Sequence, residues 1–252
     1  MVASEGEKAS AAEVKRYQSI MGEGNWLVQT THPTLATSTS ILSSYNKAPP
    51  DTAGPVLQYY LRYLQRAKDF ALINRPENLN GFEVYSDSDW AGLYTCTGEV
   101  RSRTGSRVMF NGMPIAWRSN YQKCVGTSFV YCNTEDQVAM ASGEAELYAA
   151  ADTLKLALHT HYVAQELHLR IQNVIVMKVD ATAAIGKIQG PRGGGKMKHI
   201  DLRQAWIRQL MDRGIVNVVK VDGTENRADF FTKVLGKGQF ADAENDLMVK
   251  LE

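Results

Sequence analysis

The sequence has few cysteines, no long apolar run and no secretory signal, and each of these absences excludes a class of protein. It contains only three cysteines and no CxxC pair, and the odd number argues against a disulfide framework and favours a reducing compartment. It has no apolar run long enough to cross a membrane. Residues 1–12 lack the apolar core of a secretory signal. We therefore expect an intracellular protein of the cytoplasm or nucleus, neither secreted nor membrane-bound.

An excess of charge of one sign is also missing. The 252 residues carry 28 basic and 27 acidic side chains, which gives a formal net charge of +1. Contact with a nucleic acid therefore has to come from local basic patches, because there is no overall field to attract it. The phosphate-binding loop Gly-x-x-x-x-Gly-Lys-Ser/Thr does not occur either, so no P-loop nucleotide site is expected.

The length suits one large domain or one and a half, and the residue pattern changes near residue 79. The N-terminal part is predicted to be mainly helical, with a first helix over Glu13–Met21 that ends at Gly22-Glu23-Gly24. We predict four regions: a disordered or frayed N-terminus at 1–12, a helical region at 13–78, an α/β domain at 79–240 and a C-terminal tail at 241–252.

Strand-like runs and helical patterns follow one another beyond residue 81. The predicted order is three strands, a helix, a strand, two helices, a strand and a last short helix. Such an order is typical of an antiparallel meander extended by strands that cross over through helices. We predict an α/β fold with a mixed five-stranded sheet, its strands at about 82–87, 105–111, 113–118, 174–179 and 215–221.

Four acidic residues stand at strand ends and helix starts in this α/β part. They are Asp87, Glu146, Asp180 and Asp229. Carboxylates at such positions can converge on one spot, where like charges raise one another's pKa unless cations lie between them. Mg²⁺ is the usual cation, because it prefers oxygen ligands and pairs with phosphates. The four residues are therefore candidate metal ligands and catalytic residues.

Simpler roles exist for each of these acids taken alone. A carboxylate just after a strand is usually a solvated turn residue or a helix cap, and an acid in a first helical turn is favoured by the helix dipole. Two neighbours are candidates for supporting the metal ligands. Asp89 shares a strand face with Asp87, because side chains repeat every two residues, and Glu144 is expected mainly to stabilise the start of the long helix.

Basic residues near the predicted site are candidate contacts to a nucleic acid. The glycine-rich loop before the sixth predicted helix lets the backbone approach a ligand, although a mobile, solvated loop explains its composition equally well. Two arginines on the predicted strands could touch a nucleic-acid backbone. The candidate residues are Arg107, Arg118, Lys196, Lys198 and His199.

Four segments in a fixed order carry a resemblance to a known family. They are Tyr85-Ser86-Asp87-Ser88-Asp89-Trp90, Glu144-Ala145-Glu146-Leu147-Tyr148, Lys198-His199-Ile200-Asp201-Leu202-Arg203 and Ala228-Asp229-Phe230-Phe231-Thr232-Lys233. Together they resemble the ribonuclease H domain of copia-type LTR retrotransposon polyproteins. The helical region resembles the preceding stretch, the thumb- or connection-like C-terminal end of the reverse transcriptase, through Thr31-His32-Pro33 and Leu61-Arg62-Tyr63-Leu64.

The resemblance implies a ribonuclease H-like fold and a metal-dependent endonuclease. Such an enzyme cleaves the RNA strand of an RNA–DNA hybrid with two Mg²⁺ ions, for which Mn²⁺ can substitute, held by four carboxylates. Asp87 would bridge both ions, with Glu146, Asp180 and Asp229 as the remaining ligands. The implied partners are the hybrid and the rest of a reverse-transcriptase polyprotein, with no membrane.

Two departures from the family pattern keep other interpretations open. The segment around 123–137 looks like extra sequence before the helix that carries Glu146, and the loop before Asp229 has no histidine. The Tyr-x-Asp-Asp pair of a polymerase is absent as well. A non-catalytic, truncated relic that folds and binds nucleic acid or protein is therefore an alternative, and so is a nuclease of the same fold that acts on DNA.

Overall fold

The structure is a computed structural model that describes residues 9–49, 53–72, 81–92, 101–122, 142–190 and 198–251, with the side chains of 198–201 left out. The chain forms two compact units. One combines Met1–Ile73 with Val234–Glu252, and the other is Asn74–Lys233. The assignment of these parts to a polymerase remnant and a nuclease domain stays a prediction.

The described elements are numbered along the chain, and three short 3₁₀ turns at Pro33–Leu35, Gly223–Glu225 and Asp229–Phe231 accompany them. The helices are α1 (Ala11–Thr30), α2 (Ala36–Ser43), α3 (Ala53–Ala67), α4 (Ser142–Glu166), α5 (Thr182–Gln189), α6 (Lys198–Asp212) and α7 (Lys237–Leu247). The strands are β1 (Phe70–Leu72), β2 (Phe82–Asp89), β3 (Arg103–Phe110), β4 (Met113–Tyr121), β5 (Ile175–Val179), β6 (Val216–Lys220) and β7 (Met248–Lys250). None of the helices in the described ranges is long and apolar enough to cross a membrane.

The first helix is longer than the sequence predicts. A capping box between Ser10 and Glu13 starts α1, and the helix continues through Gly22 and Gly24 to Thr30. The predicted break at these glycines is wrong. Gly24 lies against the hydroxyl of Tyr60, where any side chain would collide with the phenol ring, so this glycine serves helix packing and does not end the helix.

The last residues of the chain belong to the same unit as α1–α3. Strand β7 pairs antiparallel with β1, with Ala71 opposite Val249. The buried carboxylate of Glu244 in α7 accepts hydrogen bonds from Tyr63 at 2.7 Å and from Arg66 at 2.6 Å. The structure therefore places 241–250 in a helix and a strand of the first unit, where the sequence predicted a separate tail from 241 to 252.

The second unit is built on one five-stranded sheet with the strand order β4-β3-β2-β5-β6. Strands β2, β3 and β4 form an antiparallel meander, and β5 and β6 run parallel to β2. Helix α4 packs on one face through a core that includes Phe82, Val84, Leu147 and Leu154. This confirms the predicted α/β class, a mixed five-stranded sheet flanked by helices and preceded by a helical N-terminal segment.

The register between the parallel strands β2 and β5 brings two of the acidic residues together. Ser86 in β2 lies beside Val179 in β5, so the next residues, Asp87 and Asp180, follow as neighbours at the same edge of the sheet. Side chains alternate between faces along a strand. Val84 belongs to the core under α4, and Tyr85 packs with Met109 and Ala228, so Asp87 lies on the face of Tyr85.

A glycine opposite Asp87 lets a second segment approach this face. Gly105 in β3 pairs with Asp87. A Cβ at Gly105 would lie 2.7 Å from the carbonyl oxygen of Ala228, 2.7 Å from Cγ2 of Thr232 and 3.1 Å from Cβ of Phe231. All three neighbours lie in the short turn Asp229–Phe231 or directly beside it. The backbone oxygen of Ala228 cannot rotate away from an added Cβ.

Substituting this glycine tests the packing. We expect Gly105→Ala to lower the free energy of unfolding by about 1–3 kcal/mol, the usual cost of overpacking. The control is Gly186→Ala in α5, where a Cβ meets nothing within 4 Å and where alanine should stabilise the helix by about 0.5–1 kcal/mol. Urea unfolding of both variants checks the opposite signs, and equal effects would contradict the packing described here.

Candidate metal centre

Three of the four predicted carboxylates meet at the edge of the sheet. Asp87, Glu146 and Asp180 each offer one oxygen, and these three oxygens all lie within 4.8 Å of one another. Two of the side chains come from adjacent parallel strands and the third from the first turns of α4. Oxygen atoms this close, from carboxylates that are buried or half-buried, form a set of ligands suited to a hard divalent cation.

Asp87 is held by a residue next to the turn that carries Asp229. Only 2% of its surface is exposed, and the hydroxyl of the fully buried Thr232 donates a hydrogen bond to its Oδ2. Asn226 anchors the same loop to the strand, because its side-chain nitrogen donates to the carbonyl oxygen of Ser86 at 3.0 Å. These contacts fix the orientation of Asp87 and the position of the residues around Asp229.

Glu146 reaches the site from α4. Its Oε1 accepts a hydrogen bond of 3.3 Å from the backbone N–H of Ser88. Its Oε2 is buried and has no hydrogen-bond partner. A buried carboxylate oxygen without a partner is costly, because it has lost its hydration and gained nothing in return. A bound cation would remove that cost, so the donor set fits a metal ion.

The pKa values of Glu146 and Asp87 are raised by burial and by the neighbouring carboxylates. Burial raises the pKa of Glu146 to about 9, and the charges of Asp87 and Asp180 push it in the same direction. Burial likewise raises the pKa of Asp87 to about 7, with a further contribution from the charge of Asp229. Without a cation the cluster therefore retains protons at neutral pH, and a divalent ion would displace them.

Asp229 lies beside this cluster and outside the group of three. It opens the 3₁₀ turn Asp229–Phe231, and its Oδ2 is 2.6 Å from Nζ of Lys233 in the next turn. Its Oδ1 is buried without a hydrogen-bond partner. The carboxylate thus has one oxygen engaged with an ammonium group and one oxygen available to a ligand.

The two predicted supporting acids have different surroundings. Asp89 is half-buried, and its carboxylate packs against the backbone of Gly92, where any side chain would collide with it. Burial raises its pKa, although Lys233 and Arg103 act in the opposite direction. Glu144 lies in the first turn of α4 and accepts a 2.6 Å hydrogen bond from the hydroxyl of Tyr148. Its role at the helix start stays a prediction.

The structure describes the side chains of only two of the five residues predicted to contact a nucleic acid. Arg107 is buried, with 2% of its surface exposed, and its Nε donates to the sulfur of Met109 at 2.9 Å. This corrects the expectation that it contacts a nucleic-acid backbone, since its side chain is enclosed on the sheet face. Arg118 is exposed on β4. Lys196 and the segment 123–137 lie outside the described residues, as do the side chains of Lys198 and His199.

Three residues of the site were not predicted as functional. They are Thr232, which bonds to Asp87, Lys233, which pairs with Asp229, and Asn226, which anchors the loop. One signal for Lys233 is present in the sequence. Asp229 and Lys233 are four residues apart, the spacing at which opposite charges meet on a helical turn.

Solved structures similar to this chain are known, although their sequence identity to it is low. No family model matches the chain. Two solved structures of LC11-RNase H1 are similar over 61% and 60% of this chain and 93% of theirs, with TM-scores of 0.40 and 0.39 and sequence identities of 16% and 13%. The first is from compost, and the second is a complex with an RNA/DNA hybrid.

Sequence relatives cover most of the chain. The Pol polyprotein from transposon TNT 1-94 of Nicotiana tabacum is 30% identical over 236 residues, which are 93% of this chain and 16% of that protein. The one from transposon RE2 of Arabidopsis thaliana is 30% identical over 224 residues, or 89% of this chain and 14% of that protein. The chain thus spans a small part of the length of these relatives. Over most of its length the chain is similar to these retrovirus-related Pol polyproteins of plant transposons.

Proposed function

We propose that this chain is a metal-dependent endonuclease that hydrolyses the RNA strand of RNA–DNA hybrids. The observation that carries the proposal is the convergence of Asp87, Glu146 and Asp180, whose oxygens lie within 4.8 Å of one another. Similarity to retrovirus-related Pol polyproteins of transposons supports such an activity, because a nuclease specific for hybrids has a place in copying RNA into DNA. One of the similar solved structures was obtained with an RNA/DNA hybrid.

The carboxylates would hold two Mg²⁺ ions, for which Mn²⁺ would substitute. When bound, such ions would supply a water of lowered pKa as nucleophile and would stabilise the leaving oxygen. Asp87 is the candidate for a ligand shared by both ions. Glu146 offers its unpartnered Oε2, Asp180 completes the group of three, and Asp229 offers Oδ1.

The residues around the carboxylates would fix the geometry of the site. Thr232 holds Oδ2 of Asp87, which leaves the other oxygen of that carboxylate to a ligand. The N–H of Ser88 orients Glu146 through Oε1. Both contacts are made by groups that are buried or part of a strand, so the ligands are held before a substrate arrives, which is what precise metal geometry requires.

The substrate would be selected by its shape and by its sugar. The 2′-hydroxyl distinguishes RNA from DNA at such a site, and the phosphates would be met by local basic groups, since the chain has a formal net charge of only +1. Arg118 is exposed on the same sheet. Lys196, Lys198 and His199 remain candidates by sequence alone.

The remaining assignments of the chain are proposed on the same basis. Residues 13–78 would correspond to the C-terminal end of a reverse transcriptase, and 79–240 to the ribonuclease H-like domain. The matched relatives are much longer polyproteins. We propose the rest of such a polyprotein as a partner of this chain, in addition to the hybrid.

Replacing one ligand tests the activity. We expect Asp87→Asn to reduce Mg²⁺-dependent cleavage of a labelled RNA–DNA hybrid by about 100-fold or more, because metal ions contribute several kcal/mol of charge stabilisation in the transition state. The matched control is Asp152→Asn, a carboxylate on the same helix as Glu146 that pairs with Lys155; it should retain full activity.

Substrate comparison completes this experiment. An all-DNA duplex should stay intact under conditions in which the wild-type protein cuts the hybrid. Cleavage of DNA at an equal rate would replace the proposed activity by that of a DNA nuclease. No cleavage of either substrate by the folded wild-type protein would leave the non-catalytic relic as the function.

The raised pKa values predict how stability depends on pH. In EDTA, protonated Glu146 contributes stability that is complete below its unfolded pKa near 4.5 and is lost as pH rises through its folded pKa of about 9. Protonated Asp87 does the same between its unfolded pKa near 3.8 and its folded pKa of about 7. The metal-free protein should therefore become less stable between about pH 5 and pH 9, and Mg²⁺ should reverse the loss.

A variant isolates this contribution from other titrating groups. Glu146→Gln cannot titrate at this position, so the unfolding free energy of the wild type minus that of the variant, measured by urea unfolding in EDTA, should fall steadily as pH rises. A difference that grows with pH, or that stays constant, would show that Glu146 has no raised pKa in the folded protein.

A further inference from the structure

A positively charged side chain stands next to the carboxylate cluster. Nζ of Lys233 is 2.6 Å from Oδ2 of Asp229. The residue before it, Thr232, is fully buried and donates its hydroxyl to Asp87. The backbone around Lys233 is therefore fixed to the site at Asp87, and its ammonium group has limited freedom to leave the neighbourhood of the acids.

The charge of Lys233 acts on more than one acid. Burial lowers the pKa of Lys233, but the hydrogen bond to Asp229 and the negative charges of Asp87 and Asp180 outweigh that effect and raise it. In return, the ammonium lowers the pKa of Glu146 and Asp87 against the larger effect of burial. Lys233 is thus within electrostatic reach of every acid proposed as a metal ligand.

The ion pair engages the carboxylate that a metal ion would use, through the second oxygen of Asp229. Asp229 has one oxygen buried without a partner and the other bonded to Lys233, and it is the one proposed ligand that does not belong to the group of three. A cation that approaches Asp229 meets a like charge a few ångströms away, and like charges repel. Two cations thus compete for the same carboxylate.

We propose that Lys233 is a built-in counter-cation of the metal centre, which holds Asp229 in the absence of metal and weakens binding of a divalent ion there. This inference rests on the metal centre of the proposed function. An ion held by Asp87, Glu146 and Asp180 would not have to displace Lys233. An ion bound through Oδ1 of Asp229 would share that carboxylate with the ammonium group on Oδ2. Lys233 is a positioning residue, because it acts through Asp229.

Removal of the ammonium group gives a measurable change in metal affinity. Mn²⁺ binding to the full chain is measured by titration calorimetry and by the electron paramagnetic resonance signal of free Mn²⁺. Lys233→Gln should bind Mn²⁺ more tightly than wild type, by roughly threefold to tenfold, a modest change because the pair is partly exposed. Lys233→Arg keeps the charge and should remain close to wild type.

Two controls separate this effect from a general change of charge or fold. Lys155→Gln removes a lysine that pairs with Asp152 three residues away on the surface of α4, and it should leave Mn²⁺ affinity unchanged. In a double-mutant cycle, Lys233→Gln should have a smaller effect when Asp229 is already Asn, because the shared carboxylate is gone. Thermal unfolding verifies that each variant is folded.

The outcomes distinguish the inference from the proposed function. If wild type binds Mn²⁺ and Lys233→Gln binds it equally or more weakly, Lys233 is only a structural partner of Asp229 and the inference is overturned, while the nuclease proposal stands. If folded wild type binds no Mn²⁺, the metal centre and the inference both fail. Tighter binding by Lys233→Gln, lost in the Asp229→Asn background, supports the inference.

Discussion

The structure depends on one electrostatic constraint, the confinement of several carboxylates at one edge of a sheet. Asp87 and Glu146 are buried, and Asp180 lies within 4.8 Å of both. Burial removes their hydration and their charges repel, so the site is stable only with protons or cations among them. The hydroxyl of Thr232, the N–H of Ser88 and the ammonium of Lys233 reduce the cost without removing it.

The architecture of the sheet creates this confinement. Parallel pairing of β2 and β5 brings Asp87 and Asp180 to the same edge, and α4 packs over the core with its first turns directed there. Gly105 allows the segment around Asp229 to lie against β3. The residues that pack the fold and those that bind a ligand are therefore interleaved. Val84 and Leu147 lie in the core, three and one positions from two of the acids.

Much of this arrangement could be predicted from the sequence, because it follows from local patterns. The strands that lead to Asp87 and Asp180 and the helix that carries Glu146 follow from alternation and periodicity, although β2 continues two residues past Asp87. The burial of Arg107 was not predictable, since alternation identifies a face without saying whether it is covered. The continuation of α1 through Gly24 and the docking of Glu244 depend on Tyr60, Tyr63 and Arg66, which are distant in sequence. The Asp229–Lys233 contact could be predicted in part. The spacing of four residues indicates the ion pair, but its position next to the other acids follows only from the fold.

The most direct test of the metal centre is a crystal structure of the chain soaked in Mn²⁺, with anomalous diffraction data to locate the ions. A metal centre at this position should give a strong anomalous peak within coordination distance of Asp87, Glu146 and Asp180, at the roughly 2.0–2.6 Å expected for hard cations and oxygen ligands. A peak at Asp229 should be weaker, because Lys233 competes for that carboxylate. Absence of any peak among the three acids, with Mn²⁺ bound elsewhere or not at all, would show that these acids do not form a metal centre.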